Sequence, residues 1–120
     1  MKAIIVEPVT RPHVVDINSD LKSLQEIVGG YIEVVYPFED HVGIICNEEG
    51  KLMGLPLNRS LRYDNGEIYD IICGTFLIVG LTEGDFGDLT DEQVDKYMKL
   101  YHDMETFAFL EGDKIISISF

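Results

Sequence analysis

Ile71-Ile72-Cys73-Gly74-Thr75-Phe76-Leu77-Ile78-Val79-Gly80 carries no charge and is apolar at neighbouring positions rather than at alternate ones. A strand wetted on one face alternates in polarity. A run apolar at both parities therefore fits a strand covered on both sides, and a single internal glycine marks a bulge or bend. One central strand bent at Gly74 is expected, with the rest of the chain arranged around it. The nearly uncharged stretch ends at Thr82 after 12 residues, short of the roughly 20 that a membrane-crossing helix requires.

Working outward, Asp64-Asn65-Gly66 is a turn signal before Glu67–Asp70, and Ala3–Val6 and Val14–Ile17 are β-branched runs around a connection with two prolines. Ser19 or Asp20 can cap a short helix carrying Leu21, Leu24 and Val28, and Gly29-Gly30 supplies its stop. Tyr31–Tyr36 reads as a strand with Ile32, Val34 and Tyr36 toward a core. Val42–Cys46 follows as another, and Asn47-Glu48-Glu49-Gly50 turns into a third over Lys51–Met53. Leu55–Tyr63 shows neither alternation nor a helix stripe and is expected to be a loop with one helical turn. Thr90 and Gln93 form a capping-box signature for a helix over about Asp91–Met104, with Val94, Tyr97, Met98 and Tyr101 on one face. Phe107 to Phe120, broken by Glu111-Gly112-Asp113, predicts a closing hairpin or terminal strand. The expected architecture is α+β in one domain over residues 1–120: a mainly antiparallel sheet of about five to seven strands, covered on one face by two helices.

Composition limits the partners. The 120 residues hold 22 acidic side chains against nine Lys and Arg, a net charge of −13, yet 46% are apolar, which excludes a disordered acidic tail. Nine scattered bases cannot clamp a phosphate backbone, so direct nucleic-acid binding is not expected. Met1–Val9 is too short and too early charged for a signal peptide, and the reading is cytoplasmic. Cys46 and Cys73 sit in apolar runs as buried reduced thiols.

Catalytic signatures are mostly missing from the chain. His13, His41 and His102 lack metal-ligand spacing, and neither a phosphate loop nor a nucleophile elbow is present, so no metal, cofactor or catalytic residue is assigned. Glu83, Asp85, Asp88, Asp91, Glu92 and Asp95 place six carboxylates in 13 residues with no base among them. Asp91 and Glu92 suit a helix N-terminus, whose dipole accounts for about half of the cluster. The others could imitate a row of phosphates.

Arg59 and Arg62 are the only bases between Leu52 and Asp95. On a helical turn over Pro56–Arg62 they would point to one side, with Asn58 adding an amide and Tyr63 or Tyr69 a stacking surface, which makes a compact site for a phosphate or carboxylate. The competing reading is an internal network with Asp64, Glu67 or Asp70.

Leu24-Gln25-Glu26-Ile27-Val28-Gly29-Gly30-Tyr31-Ile32-Glu33, Asn47-Glu48-Glu49-Gly50-Lys51, Leu55-Pro56-Leu57-Asn58-Arg59 and Ile71-Ile72-Cys73-Gly74-Thr75-Phe76 together resemble the domain-of-unknown-function family 3846 over roughly residues 1 to 104. The last 16 residues follow no such pattern. The resemblance implies a small accessory protein of a bacteriophage or conjugative element in a bacterial host, and it assigns no chemistry. With it, the leading expectation is a non-enzymatic counter-defence protein that sequesters a small nucleotide immune signal through Asn58, Arg59, Arg62, Tyr63 and Tyr69. The alternative is an acidic decoy that occupies a host DNA-binding defence protein. A hydrolase or transferase at the same anion site lacks a partnered general base. Self-association into a homo-oligomer is left open.

Overall fold

A computed structural model describes residues 1–120. Gly74 has φ 82°, in the left-handed region, and a Cβ there would lie 2.8 Å from Leu55 Cδ1. Glycine alone takes this conformation without strain. The chain turns at this point, so Ile71–Gly80 is divided between two strands in different sheets and is not the single bent strand expected. In chain order the elements are β1 (Lys2–Val6), β2 (His13–Asp16), α1 (Leu21–Val28), β3 (Ile32–Val35), β4 (Val42–Asn47), β5 (Leu57–Arg62), β6 (Ile68–Cys73), β7 (Phe76–Thr82), β8 (Asp85–Gly87), α2 (Asp91–Leu100), β9 (Glu105–Leu110) and β10 (Lys114–Ser119).

The main sheet has six strands, in the order β2-β1-β7-β4-β3 with β8 returning along β7, and every pairing is antiparallel. Ile4, Ile78 and Ile44 align across the three central strands, and Ile5, Leu77 and Ile45 form the next row. Successive side chains of a strand point to opposite faces, so these rows belong to two separate cores. The first gathers Ile4, Ile44, Ile78 and Phe76 under α2, through Tyr97 and Tyr101, and under Leu61 and Ile72 of the β5–β6 hairpin. The second gathers Ala3, Ile45, Leu77 and Val79 under Leu24 and Val28 of α1. The α+β class and the antiparallel sheet hold. The expectation that both helices lie on one face does not, because central strands apolar at both parities need cover on each side.

Local chemistry fixes the helix ends. Asp20 caps α1 by accepting from the Ser23 N–H at 3.1 Å, and Gly29, at φ 81°, ends it. At α2, Thr90 Oγ accepts from Gln93 N–H at 3.1 Å while Gln93 Oε1 accepts from Thr90 N–H at 3.0 Å. The helix stops at Leu100, short of Met104. The carbonyls of Tyr101 and His102 accept instead from Arg59 Nη2 (3.1 Å) and Arg11 Nη1 (2.8 Å), so two guanidinium groups finish the end where a helix leaves acceptors unpaired.

Three further expectations are corrected. Lys51–Met53 forms turns closed by local bonds such as Met53 N–H to Glu49 O (2.8 Å), and it pairs with no strand. Tyr36 lies beyond β3 and is exposed, while Val35 packs against the α2 side. Pro56–Arg62 makes no helical turn, because Leu57–Arg62 pairs with β6 through two register shifts. The closing hairpin is present as β9–β10.

Candidate functional site

Asn58 and Arg59 are interior residues, 0% and 1% exposed. Asn58 Nδ2 donates to the carbonyls of Val6 (2.9 Å) and Gly74 (2.8 Å), and its Oδ1 accepts from Arg59 Nη1 (2.9 Å). Arg59 Nη2 donates to Thr10 O (2.8 Å) and Tyr101 O (3.1 Å), while its Nε is buried without a partner. The pair therefore stitches the β1–β2 connection, the Gly74 turn and the end of α2 together. Burial pushes the Arg59 guanidinium downward from its ordinary range, and the charge of Glu105 pulls it back up. The expected network of carboxylates around Arg59 does not form. Asn58 has no group left for a phosphate, and the partners of Arg59 are carbonyls rather than Asp64, Glu67 or Asp70.

Arg62, three residues on, is half-exposed. Its Nε donates to Ser60 Oγ (3.1 Å) and its Nη1 to Gly66 O (2.9 Å), and Nη2 lies 3.7 Å from Glu105 Oε1. Tyr63 and Tyr69 are exposed, with ring centroids 4.8 Å apart and planes at 33°, so each already has an aromatic neighbour. A cavity of about 610 Å³ opens between β5 and the start of β9. Arg59, Arg62, Tyr69 and Tyr101 line it together with Asp64, Asp103 and Glu105. Tyr63 is not in the lining, and three carboxylates offset two guanidinium groups, a poor balance for an anion.

Glu105 is the residue that reading the sequence missed. It is 9% exposed and accepts from Ser60 N–H (2.9 Å), Ser60 Oγ (2.5 Å) and Ser117 Oγ (2.6 Å). A carboxylate satisfied by three donors ties β9 and β10 to β5. Nothing in Met104-Glu105-Thr106 signals this role, since the donors come from distant serines. Glu105→Ala is expected to lower stability by about 2 to 3 kcal/mol, because hydrogen bonds to charged groups contribute the most and the Ser60 N–H would be left unpaired. Urea melts measure that loss. Hydrogen exchange should quicken first across residues 105–119, and unchanged exchange there would count against the anchoring role.

The six carboxylates of the acidic segment are all exposed. Asp88 accepts from the Lys2 N–H at 2.7 Å, Asp91 pairs with Lys2 Nζ at 3.2 Å and Asp95 with Lys99 at 2.9 Å. Glu83, Asp85 and Glu92 are exposed and have no cationic partner. The shared contact with Lys2 brings Asp88 and Asp91 together at the N-terminus of α2, while Glu83 lies in the β7–β8 turn and Asp85 opens β8.

Other reactive groups are occupied in packing. Cys46 and Cys73 are free thiols in the interior, and burial pushes the Cys46 thiol up to about 11, so little reactive thiolate forms at neutral pH. Tyr97 donates to Asp40 at 3.0 Å, with Gln93 at 3.3 Å on the same carboxylate, and burial raises the phenol well above its usual value. No three His, Cys, Asp or Glu side chains are gathered as a metal site, and no helix is long and apolar enough to cross a membrane.

The fold and surface define a small antiparallel α+β domain with an interior arginine held at both terminal nitrogens by carbonyls and an exposed acidic rim. The family model for "Domain of unknown function (DUF3846)" matches residues 1–102, and the chain belongs to that family. No curated protein and no solved structure matches it.

Proposed function

We propose that this protein is a non-enzymatic accessory protein, of a phage or other mobile element, that uses its surface carboxylates to occupy the nucleic-acid-binding surface of a host defence protein. The observation that carries this reading is the contrast between the two charged groups. Glu83, Asp85 and Glu92 are exposed and have no cationic partner, whereas both terminal nitrogens of Arg59 are held by carbonyls inside the fold. Carboxylates on a two-residue turn and a capped helix can imitate phosphates from a folded frame, which an acidic tail lacks, and a net charge of −13 steers a basic partner toward them. Sequestration of a small nucleotide is the second reading. In its favour stand the cavity of about 610 Å³ and the unpaired Nε of Arg59, one of the residues lining it.

The decoy is tested with a triple variant, Glu83→Gln, Asp85→Asn and Glu92→Gln, which leaves the Asp85 side-chain oxygen able to accept from the Phe86 N–H. Its thermal midpoint should stay within a few degrees of wild type, since losing Glu92 from the first turn of α2 costs under about 1 kcal/mol, and its capture of DNA-binding host proteins should fall by about ten-fold or more at low salt. Equal capture by the variant would remove the acidic surface from the mechanism. For the second reading, calorimetry with cyclic and linear nucleotides on wild type and on Arg62→Ala is the deciding comparison.

A further inference from the structure

The β9–β10 hairpin, which lies beyond residue 102 where the family match ends, is the element that the rest of the fold covers least. Met104 and Phe120 exchange both backbone hydrogen bonds at 3.0 Å, and this sets the phase of the ladder. The main-chain groups of Ile115, Ser117 and Ser119 consequently point away from β9, along an edge that no strand pairs. Glu105 and Ser117 share the face bound to Ser60, so Ala108, Leu110, Ile116 and Ile118 belong to the opposite face. Leu110, Ile116, Ile118 and the adjoining Phe120 are between 43% and 55% exposed. That face of the two strands carries no carboxylate and a single Lys114, in a chain whose net charge is −13.

We infer that this hairpin joins two copies of the chain, β10 against β10 about a two-fold axis at Ser117. In that register the outward groups of Ile115 meet those of Ser119, and Ile116 of each copy lies beside Ile118 of the other, making one four-stranded sheet with a continuous apolar face. Charge selects this occupant: two strongly acidic molecules can approach only where carboxylates are missing, and an anionic bilayer has one lysine here to hold it. Pairing at the edge sets the two apolar patches, roughly 400 Å² each, side by side and buries only the strand edges and the side chains that meet across them, short of the about 1,000 Å² of a stable interface. The pair is thus a reversible dimer, and it would present two acidic rims at once. The inference stands apart from the decoy reading, since it uses none of the same residues.

Sedimentation velocity from about 1 to 300 μM tests it, a range that brackets the dissociation constant of a small interface. Wild type should pass from monomer to dimer, and Ile116→Lys combined with Ile118→Lys should stay monomeric at every concentration with an unchanged thermal midpoint. Mixing single variants Ile116→Cys and Ile118→Cys under oxidation should give an intermolecular disulfide, because non-hydrogen-bonded antiparallel neighbours have Cα atoms about 4.5 Å apart. Val14→Cys, on β2, should give none. A wild type that remains monomeric, a lysine variant that still dimerises, or a monomer that only co-sediments with anionic vesicles would each overturn the inference.

Discussion

Arg59→Ala is expected to cost about 3 to 5 kcal/mol of stability. The substitution removes the donors of Asn58 Oδ1, Thr10 O and Tyr101 O together. Each buried acceptor left unpaired costs about 1 to 3 kcal/mol, and truncating the side chain also opens a void. Urea melts give the magnitude. Hydrogen exchange gives the location: protection should fall at the end of α2 and at the Thr10 connection before the centre of the main sheet. Arg59→Lys keeps the charge but loses the planar fork that reaches three acceptors, so it should recover only part of the loss. A change below about 1 kcal/mol for Arg59→Ala would show that these carbonyls find other donors.

Phe76→Ala should destabilise by a similar amount, about 3 to 5 kcal/mol, for a different reason. Phe76 is fully buried at the start of β7, opposite Val6, and meets Tyr101 edge-on with centroids 5.5 Å apart at 75°. Its removal leaves a cavity between the main sheet and the end of α2, walled by elements held from both sides. Urea melts with an unchanged slope and a lower midpoint are the expected result. A loss below about 1 kcal/mol would mean that α2 collapses into the gap.

The features read correctly from sequence are those set by neighbours along the chain. Asp20, Gly29 and the Thr90–Gln93 box act within three or four residues of themselves, and the both-sided burial of β7 follows from its own composition. What was missed depends on distant partners. Leu57-Asn58-Arg59-Ser60-Leu61-Arg62 has no β-branched residue, and two register shifts break its alternation, so it forms a strand only because β6 pairs with it. Arg59 looked like an exposed anion site because its three acceptors lie on residues 10, 58 and 101, and only Asn58 is adjacent. The covering of opposite faces was hidden for the same reason: both helices carry apolar stripes, and no stripe records which side of a sheet it meets. All six carboxylates of the acidic segment are exposed, since that many acids without bases have no interior solution.

The most direct test of the central claim, that surface carboxylates rather than interior arginines engage the partner, is capture of bacterial host proteins on the immobilised wild-type chain, washed with rising salt and then with excess duplex DNA. The decoy account predicts a DNA-binding protein that leaves as ionic strength rises and is displaced by the duplex, because phosphates and carboxylates compete for one basic surface. A partner that survives high salt and excess duplex would contradict it.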